Sequence, residues 1–468
     1  PNATLPETVS ENISDDSTVV SENLAVTPEG DVQNIETGET VTDAQLVGTQ
    51  SQQPDPLAKT NGESFIPVSA SNVKDAVEQS VKQSVEQSSS KNGATVKLAK
   101  FDGNDYGAHW GTYNNTKAFF DYRNNLFAQQ AKGVIDVSSW QGDIDWAKAK
   151  AGGVEGAIIR LGFGWGNDAD AKAQRNINEC KRLGIPFGIY WYSYAEDASG
   201  SRQEGNDVVS KLRQFGVRPN DLKYPVYYDL ESWTWTGHTP PNDPNVYNGI
   251  VNAWYGALQS GGYQNLGVYS YTSYLQGPLN NANIYAKTRW VAQYGPQMEF
   301  TAFGTNDRGW QYTESGHING ISGSVDMSAF GVKELSQNVP IYRMYNRNSG
   351  LHHYTANYDE ALDLSLKGWL AEGISFFAAR EGNPVYRVYN PHDGNHHYTK
   401  DSEEKNYLVS LGWRDEGIGW FVPDKGKANV YRLYNPYSGD HVFTEDLEEY
   451  NSAGSVGWHK EGIAWQSN

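Results

Sequence analysis

The chain has 468 residues, and its 37 basic and 56 acidic side chains give a formal net charge of −19, which argues against nucleic acid because phosphate binding needs a basic stripe. Its mean hydropathy is −0.66 and no run of about 18 apolar residues occurs, so no segment reads as a membrane span. A single cysteine, Cys180, excludes an internal disulfide framework and any cysteine-based metal site.

At roughly 100–200 residues per domain the length predicts two to four units, and composition divides the chain accordingly. Residues 1–100 carry 15 acidic and 6 basic side chains and one aromatic, Phe65, among many Ser, Thr, Asn and Gln. Too little apolar area is available to offset the entropy of ordering, so the segment reads as a disordered acidic tail and flexible spacer. Within it Val73, Val77, Val81 and Val85 recur every four residues, the spacing of a short amphipathic helix over 72–87. A leader of this kind fits an exported protein better than one kept inside the cell. Residues 101–131 are an aromatic lead-in, with Phe101, Trp110, Phe119 and Phe127 among its rings, expected to pack on the domain that follows.

Between 132 and 335 eight Val/Ile/Tyr-rich runs read as strands: 133–138, 156–164, 186–194, 224–231, 266–274, 289–295, 308–313 and 322–330. Helical stretches separate the first five, as in DIDWAKAKAGG and DPNVYNGIVNAWYGALQSGG. Alternating strand and helix implies βαβ units, and eight such strands a closed barrel. The fold class predicted is α/β: an irregular (β/α) barrel with eight strands and about five helices, its last strands lacking covering helices.

In such a barrel the chemistry lies at the C-terminal ends of the strands. Asp136 of the first strand, Asp229 and Glu231 of the fourth and Asp326 of the eighth fall there. Asp229 and Glu231, two apart, share a face, and closure brings the first and eighth strands together. Arg160, Tyr190, Tyr192, Tyr228, Tyr269, Trp290 and Trp310 are the predicted walls, with Arg160 also a candidate structural partner for a buried Asp. Mutual repulsion keeps one clustered carboxyl protonated as an acid while another stays ionised. Glycosidic cleavage needs that pair, and aromatic faces suit sugar rings. No phosphate loop or basic clamp accompanies the acids, so neither a metal nor a cofactor is assigned.

These residues resemble glycoside hydrolase family 25, the Chalaropsis-type lysozymes. VIDVSSWQGDIDW (134–146) is similar to that family's first-strand motif, YPVYYDLES (224–232) to its Asp-x-Glu strand, WVAQY (290–294) to its sixth strand, and WQY (310–312) with GSVDMS (323–328) to its closing strands. Trp191 stands where the family pattern leads one to expect His. The resemblance implies an irregular barrel of eight strands and five helices, and hydrolysis of the β-1,4 bond between N-acetylmuramic acid and N-acetylglucosamine in peptidoglycan. It implies Glu231 as general acid, Asp229 assisting the substrate's 2-acetamido group with retention of configuration, and Asp136 and Asp326 holding the sugar. A chitinase-type barrel also ends its fourth strand with Asp-x-Glu, but Tyr224 and Tyr227 occupy the places of its upstream acids. A barrel that only binds wall glycan is the non-enzymatic alternative.

From 339 to 468 the chain repeats three times: YRMYNRNSGLHHYT (342–355), YRVYNPHDGNHHYT (386–399) and YRLYNPYSGDHVFT (431–444), each followed by a helical stretch and a GW-x-x-EGI segment. A period near 45 implies a β-rich pseudo-threefold domain whose repeats bury their faces on one another. Each repeat reads as strand, Asn-x-x-x-Gly turn, strand, Thr-capped helix, strand. Trp369, Trp413 and Trp458 are the expected core with Tyr354, Tyr398 and Phe443, while His352, His396 and His441 satisfy backbone groups. His353 and His397 are replaced by Val442 in the third copy, so no histidine metal site is assigned. The module resembles repeats appended to bacterial wall hydrolases, and its exposed aromatic and His edges offer up to three glycan pockets that would hold an enzyme on its wall.

Overall fold

A computed structural model describes residues 6–84 and 101–468, which divide into two compact units, Pro1–Leu335 and Ser336–Asn468.

The eight strands expected form the centre of the first unit: β1 (Leu126–Val137), β2 (Gly156–Phe163), β3 (Phe187–Tyr192), β4 (Val226–Asp229), β5 (Leu266–Tyr271), β6 (Thr288–Ala292), β7 (Asp307–Gly316) and β8 (Val325–Val332). Neighbours from β1 to β7 pair in parallel, whereas β8 runs antiparallel to both β7 and β1 and closes the barrel. The reversal follows from the short 317–324 connection, too short for a crossover helix. Asp326 therefore stands near the start of its strand, not at its C-terminal end. It still reaches the same rim, because an antiparallel strand begins where its neighbours finish.

Helices Trp146–Ala151, Ala173–Leu183, Ala198–Gln214 and Pro244–Ser260 follow the first four strands, and two short ones, Thr272–Gln276 and Ala282–Lys287, follow β5. Their starts are written locally. Asp145, Asp197 and Asp243 accept hydrogen bonds from first-turn backbone N–H groups, and Pro244 takes the first helical position. Where helices are missing, over β7, the lead-in supplies the cover. Strands His109–Tyr113 and Thr116–Phe120 form a hairpin around Asn114 and Asn115, both at positive φ, and continue the sheet beyond β1. Phe119 is fully buried, its ring 5.3 Å from Trp310 and stacked at 4.6 Å on Tyr312.

The disordered tail expected over 1–100 is overturned for residues 6–84. Strands Thr18–Val19, Leu24–Val26, Val32–Asn34 and Val68–Ser69 make a four-stranded sheet, and helix Ala70–Ser84 follows. Apolar residues gather in two small clusters: Ile13, Val19, Ala25, Ile35, Ala70 and Val73 form one, and Val26, Val32 and Val47 the other. The polar residues that read as disorder make turns instead. Asp43 caps helix Ala44–Val47, and the side chains of Asn34 and Ser21 accept from backbone N–H groups two and three residues on. Val73 and Val77 line the inner face of the helix predicted at four-residue spacing. The other two positions of that spacing, Val81 and Val85, and the rest of the tail lie outside the residues whose side chains are described.

In the second unit each repeat contributes three antiparallel strands and one helix: Asn338–Asn346, Leu351–Thr355, Tyr358–Leu366 and Leu370–Ala379 in the first copy, with 383–422 and 428–467 repeating the order. The first two copies join through Ala379 and Phe421 into one six-stranded sheet, and the third forms a three-stranded one. The hairpin turns end on Gly350, Gly394 and Gly439, all at positive φ, each donating its N–H to the Asn four residues earlier. Two expectations are corrected here. The helices are capped by Asn357, Asp401 and Asp446, two residues beyond the Thr positions, because the Thr hydroxyls instead accept from those residues' N–H groups. The shared core is Tyr354, Tyr398 and Phe443 with Phe376, Trp420 and Trp465. Trp369, Trp413 and Trp458 lie outside it and are half-buried, because they stand between the helix and the third strand of each copy.

Candidate active site

Alternation along the barrel strands decides which side chains enter the lumen. Cross-strand partners in a parallel sheet share a face, and Arg160 pairs with Tyr190, Asp229 with both Tyr192 and Tyr269, and Tyr269 with Trp290. These residues, with Asp136 and Glu231, line one cavity at the rim. Asp326 lies directly opposite Asp136 in the β8–β1 ladder. Below them the lumen is filled by Tyr227, Trp290 and Phe330, whose ring centroids lie 5.0–6.2 Å apart. Gly309 makes room for this plug, since a Cβ there would sit 2.3 Å from Phe330. The barrel is thus closed beneath and has its polar groups on one rim.

Two predicted wall residues are corrected. Trp310 pairs with Val291 and points outward, its indole donating to the Gln293 carbonyl (2.7 Å) and its face covered by Phe119 and Phe127. Tyr228 also points outward, stacked at 4.4 Å on Trp254, with its hydroxyl on Glu204. The residue that enters the lumen from β7 is Gln311. Its amide donates to Asp136 Oδ2 (2.8 Å), and its carbonyl accepts from the hydroxyls of Tyr269 (2.7 Å) and Tyr294 (2.6 Å). Its signal in the sequence was the two-residue alternation from the inward Gly309. Tyr271, Tyr294 and Trp233 are further lining residues that sequence reasoning missed. Trp191 faces outward, fully buried, with its indole N–H on the Gly164 carbonyl.

All four acids are held above the ordinary carboxyl range, first of all by burial. Asp136 is pushed up to about 6, against the hydrogen bonds it shares with Asp326 and Gln311. Asp326 lies well above its usual value through burial and then the Asp136 charge. Asp229 is raised strongly by burial and then by Glu231, and Glu231 is raised by burial against its hydrogen bond with Asp229. The site therefore consists of two carboxyl pairs, each retaining a proton well above the usual carboxyl range and titrating as a unit. Within the second pair Asp229 is 4% exposed at the bottom of the rim, whereas Glu231, just beyond the end of β4, is half-buried and nearer the opening. Asp229 Oδ1 is buried with no hydrogen-bond partner. A protonated acid beside a carboxylate, in a buried cleft walled by aromatic rings, is equipped for general acid catalysis on a sugar acetal.

Arg160, 1% exposed, does not pair with these acids. It binds Asp170 through Nε (2.8 Å) and Asp55 of the N-terminal segment through both terminal nitrogens (2.7 and 2.9 Å).

Residues 135–321 match the family model for glycosyl hydrolases family 25. The barrel is a family 25 glycosyl hydrolase domain. The curated relatives of this domain include the autolytic lysozyme of Clostridium acetobutylicum, 25% identical over 42% of this chain and 55% of that protein. Lysozyme M1 of Streptomyces globisporus is 26% identical over 42% of this chain and 66% of its own length. The chain thus spans between about half and two thirds of the curated relatives it matches. Among solved structures, the modular autolysin LytC of Streptococcus pneumoniae is 34% identical over 47% of this chain and 52% of its own, with a TM-score of 0.44. Residues 340–468 match a domain of unknown function, DUF5648.

In that second unit the histidines pair with carboxylates rather than with backbone groups. His352, His396 and His441 bind Glu372, Glu416 and Glu461 at 2.8–3.1 Å. Arg387, Arg432 and Arg343 cross the three seams to Glu360, Glu404 and Glu449. His353 and His397 stand 4.6 and 4.3 Å from His396 and His441 in two of the seams. At the third, Val442 replaces the imidazole and a cleft of about 640 Å³ opens, flanked by Tyr345, His352 and Trp458.

Proposed function

We propose that the family 25 domain is a peptidoglycan hydrolase of the lysozyme type, an N-acetylmuramidase cleaving the β-1,4 bond between N-acetylmuramic acid and N-acetylglucosamine. The observation that carries this reading is the convergence of Asp136, Asp229, Glu231 and Asp326, from three distant stretches of chain, on one aromatic-walled rim. Glu231 is the general acid. It stands nearest the opening, and burial raises its carboxyl so that it keeps a proton for the leaving oxygen. Asp229 orients the 2-acetamido group as that group attacks the anomeric carbon, with the unpartnered Oδ1 as acceptor for the amide N–H. Asp136 and Asp326 share one proton between them and hold the sugar, with Gln311 fixing Asp136. Tyr190, Tyr192, Tyr269 and Trp290 supply the stacking faces and Arg160 a cation. The lysozyme and autolysin names of the similar proteins support the same reading.

Release of reducing sugar from purified peptidoglycan, compared between the unaltered chain and Glu231→Gln, tests it. Loss of all measurable release is expected, and equal release removes Glu231 from its role. The reading includes a wall-associated protein held in place by the C-terminal repeats, for which the open third seam, with Tyr345 and Trp458 at its edges, offers a saccharide-sized cleft.

A further inference from the structure

The catalytic rim is covered. Residues 47–67 of the N-terminal segment cross it, and barrel side chains seize the segment at each step. Trp235 donates to the Thr49 carbonyl (2.6 Å), Tyr194 to the Pro54 carbonyl (2.8 Å) and Asn167 to the Gln53 side chain (2.7 Å). Arg160 takes both carboxylate oxygens of Asp55, and Trp140 donates to one of them (3.1 Å). At the far side Ser64 donates to Asp326 Oδ2 at 2.6 Å. Gly62, at positive φ, lies so close to Trp140 that a Cβ would come within 2.3 Å. What remains between the segment and the acids is a cavity of about 80 Å³, against roughly 300–1,000 Å³ for sites that take small ligands. It has room for water and none for an N-acetylhexosamine.

The cover is built to come away. The apolar residues of the N-terminal segment gather mostly in clusters of their own around Ile13, Val19 and Ile35 and around Val26, Val32 and Val47, while Ile66 packs against the barrel core. Its anchors at Thr49, Gln53, Pro54, Asp55 and Ser64 are hydrogen bonds, which detachment exchanges for water. Arg160 keeps Asp170 when Asp55 leaves. Two-pronged binding of a carboxylate by a guanidinium is specific for that group, and muramyl glycans carry carboxylates on the lactyl group or the stem peptide.

We propose that residues 47–67 are a built-in competitive ligand of the glycan cleft, with Asp55 held on Arg160 where a carboxylate of the wall glycan binds once the segment is displaced. The inference rests on the muramidase reading for the identity of the glycan, and its test separates the two. In the full chain, Asp55→Ala with Ser64→Ala removes the bidentate pair and the hydroxyl on Asp326, and a parallel Asp55→Asn variant keeps the shape while removing the charge. Both should raise kcat/KM on a soluble muramyl tetrasaccharide by about 10-fold or more, the scale of one lost hydrogen bond to a charged group. In Glu231→Gln, saturation with the tetrasaccharide should strip hydrogen-exchange protection from 47–67 while the barrel strands stay protected, which also verifies the fold. If the glycan binds with 47–67 as protected as before, the segment is a wall of the site and the inference is overturned. It is equally overturned if the Asp55 variants bind the glycan more weakly, or if no variant binds it. If every variant is inert towards the bond but the Asp55 variants bind more tightly, the latch stands and the hydrolase reading falls.

Discussion

Gln311→Leu is the sharpest perturbation of the rim, because one amide serves three polar groups there. Its N–H donates to Asp136 Oδ2, and its carbonyl accepts from Tyr269 and Tyr294. Leucine fills a similar volume and satisfies none of them. Donation to the ionised carboxylate lowers the Asp136 pKa, so its loss raises that pKa above the present value of about 6. A hydrogen bond to a charged group is worth about 1.5–3 kcal/mol, which converts to a rise of about 1–2 pH units. Two buried hydroxyls also lose their acceptor, at about 1–3 kcal/mol each. The sign with pH follows from linkage. A carboxyl raised on folding contributes stability below its unfolded pKa, and that stability is lost as pH rises through the folded value. At pH 4 Asp136 is protonated in both proteins and only the hydroxyl penalty separates them. At pH 7 the unaltered chain has an ionised Asp136 backed by Gln311, and the variant does not. The fall in Tm on substitution should therefore be larger at pH 7 than at pH 4, and the acid limb of the glycan-cleavage profile should move up by about 1–2 pH units. An equal fall in Tm at both pH values, with the profile unmoved, refutes the assignment of Gln311 to Asp136.

Glu204, behind the rim on the helix after β3, is pushed by burial up to about 8, although Tyr228, Ser193 and the Tyr194 N–H all donate to it. Its stabilising share is complete below the ordinary Glu range and is lost as pH rises through 8, so Glu204→Gln should flatten the decline of thermal stability between pH 6 and 9. Gly309→Ala forces a methyl against Phe330 and should cost about 1–3 kcal/mol by overpacking, read as a lower urea midpoint at unchanged slope. The 336–468 unit, a compact body by itself, should sediment with purified peptidoglycan at both low and high salt, since stacking rather than charge would hold it. Val442→His, which restores the imidazole of the other two seams, should weaken that retention about tenfold, the loss of roughly 1.4 kcal/mol; unchanged retention would move the wall contact elsewhere.

Much of the barrel was legible because β-branched runs and helical stretches alternate in a way that few other folds permit. All eight strands lie where Val, Ile and Tyr cluster, and the four acids meet because closure of the barrel is a topological consequence of that count. What failed was facing. Trp310 and Tyr228 look like lumen residues by size, yet the choice between neighbours on a strand rests on register, which is fixed by partners far along the chain. Trp310 is outward because Trp290 is inward and pairs with Gly309, not with it. The repeats show the same division. Their period and hairpin turns are explicit in the sequence, whereas Trp420 and Trp465 take the core from Trp413 and Trp458 because seven residues of strand carry them to the opposite end of the sheet.

The N-terminal segment was misread for a more instructive reason. Composition measures how much apolar area a segment can bury against itself, and by that measure residues 6–84 are poor. It does not count polar area that another surface has already prepared. Asp55 is unremarkable in sequence, but on Arg160 and Trp140 it completes a buried guanidinium that the barrel itself binds only through Asp170 and Ser139. The contacts that seat residues 47–67 on the rim are the contacts that cover the acids, so docking of the segment and blocking of the cleft are a single equilibrium. Any change that weakens the grip at Asp55 must act on both together: protection of residues 47–67 falls as access to Glu231 rises, in the same proportion.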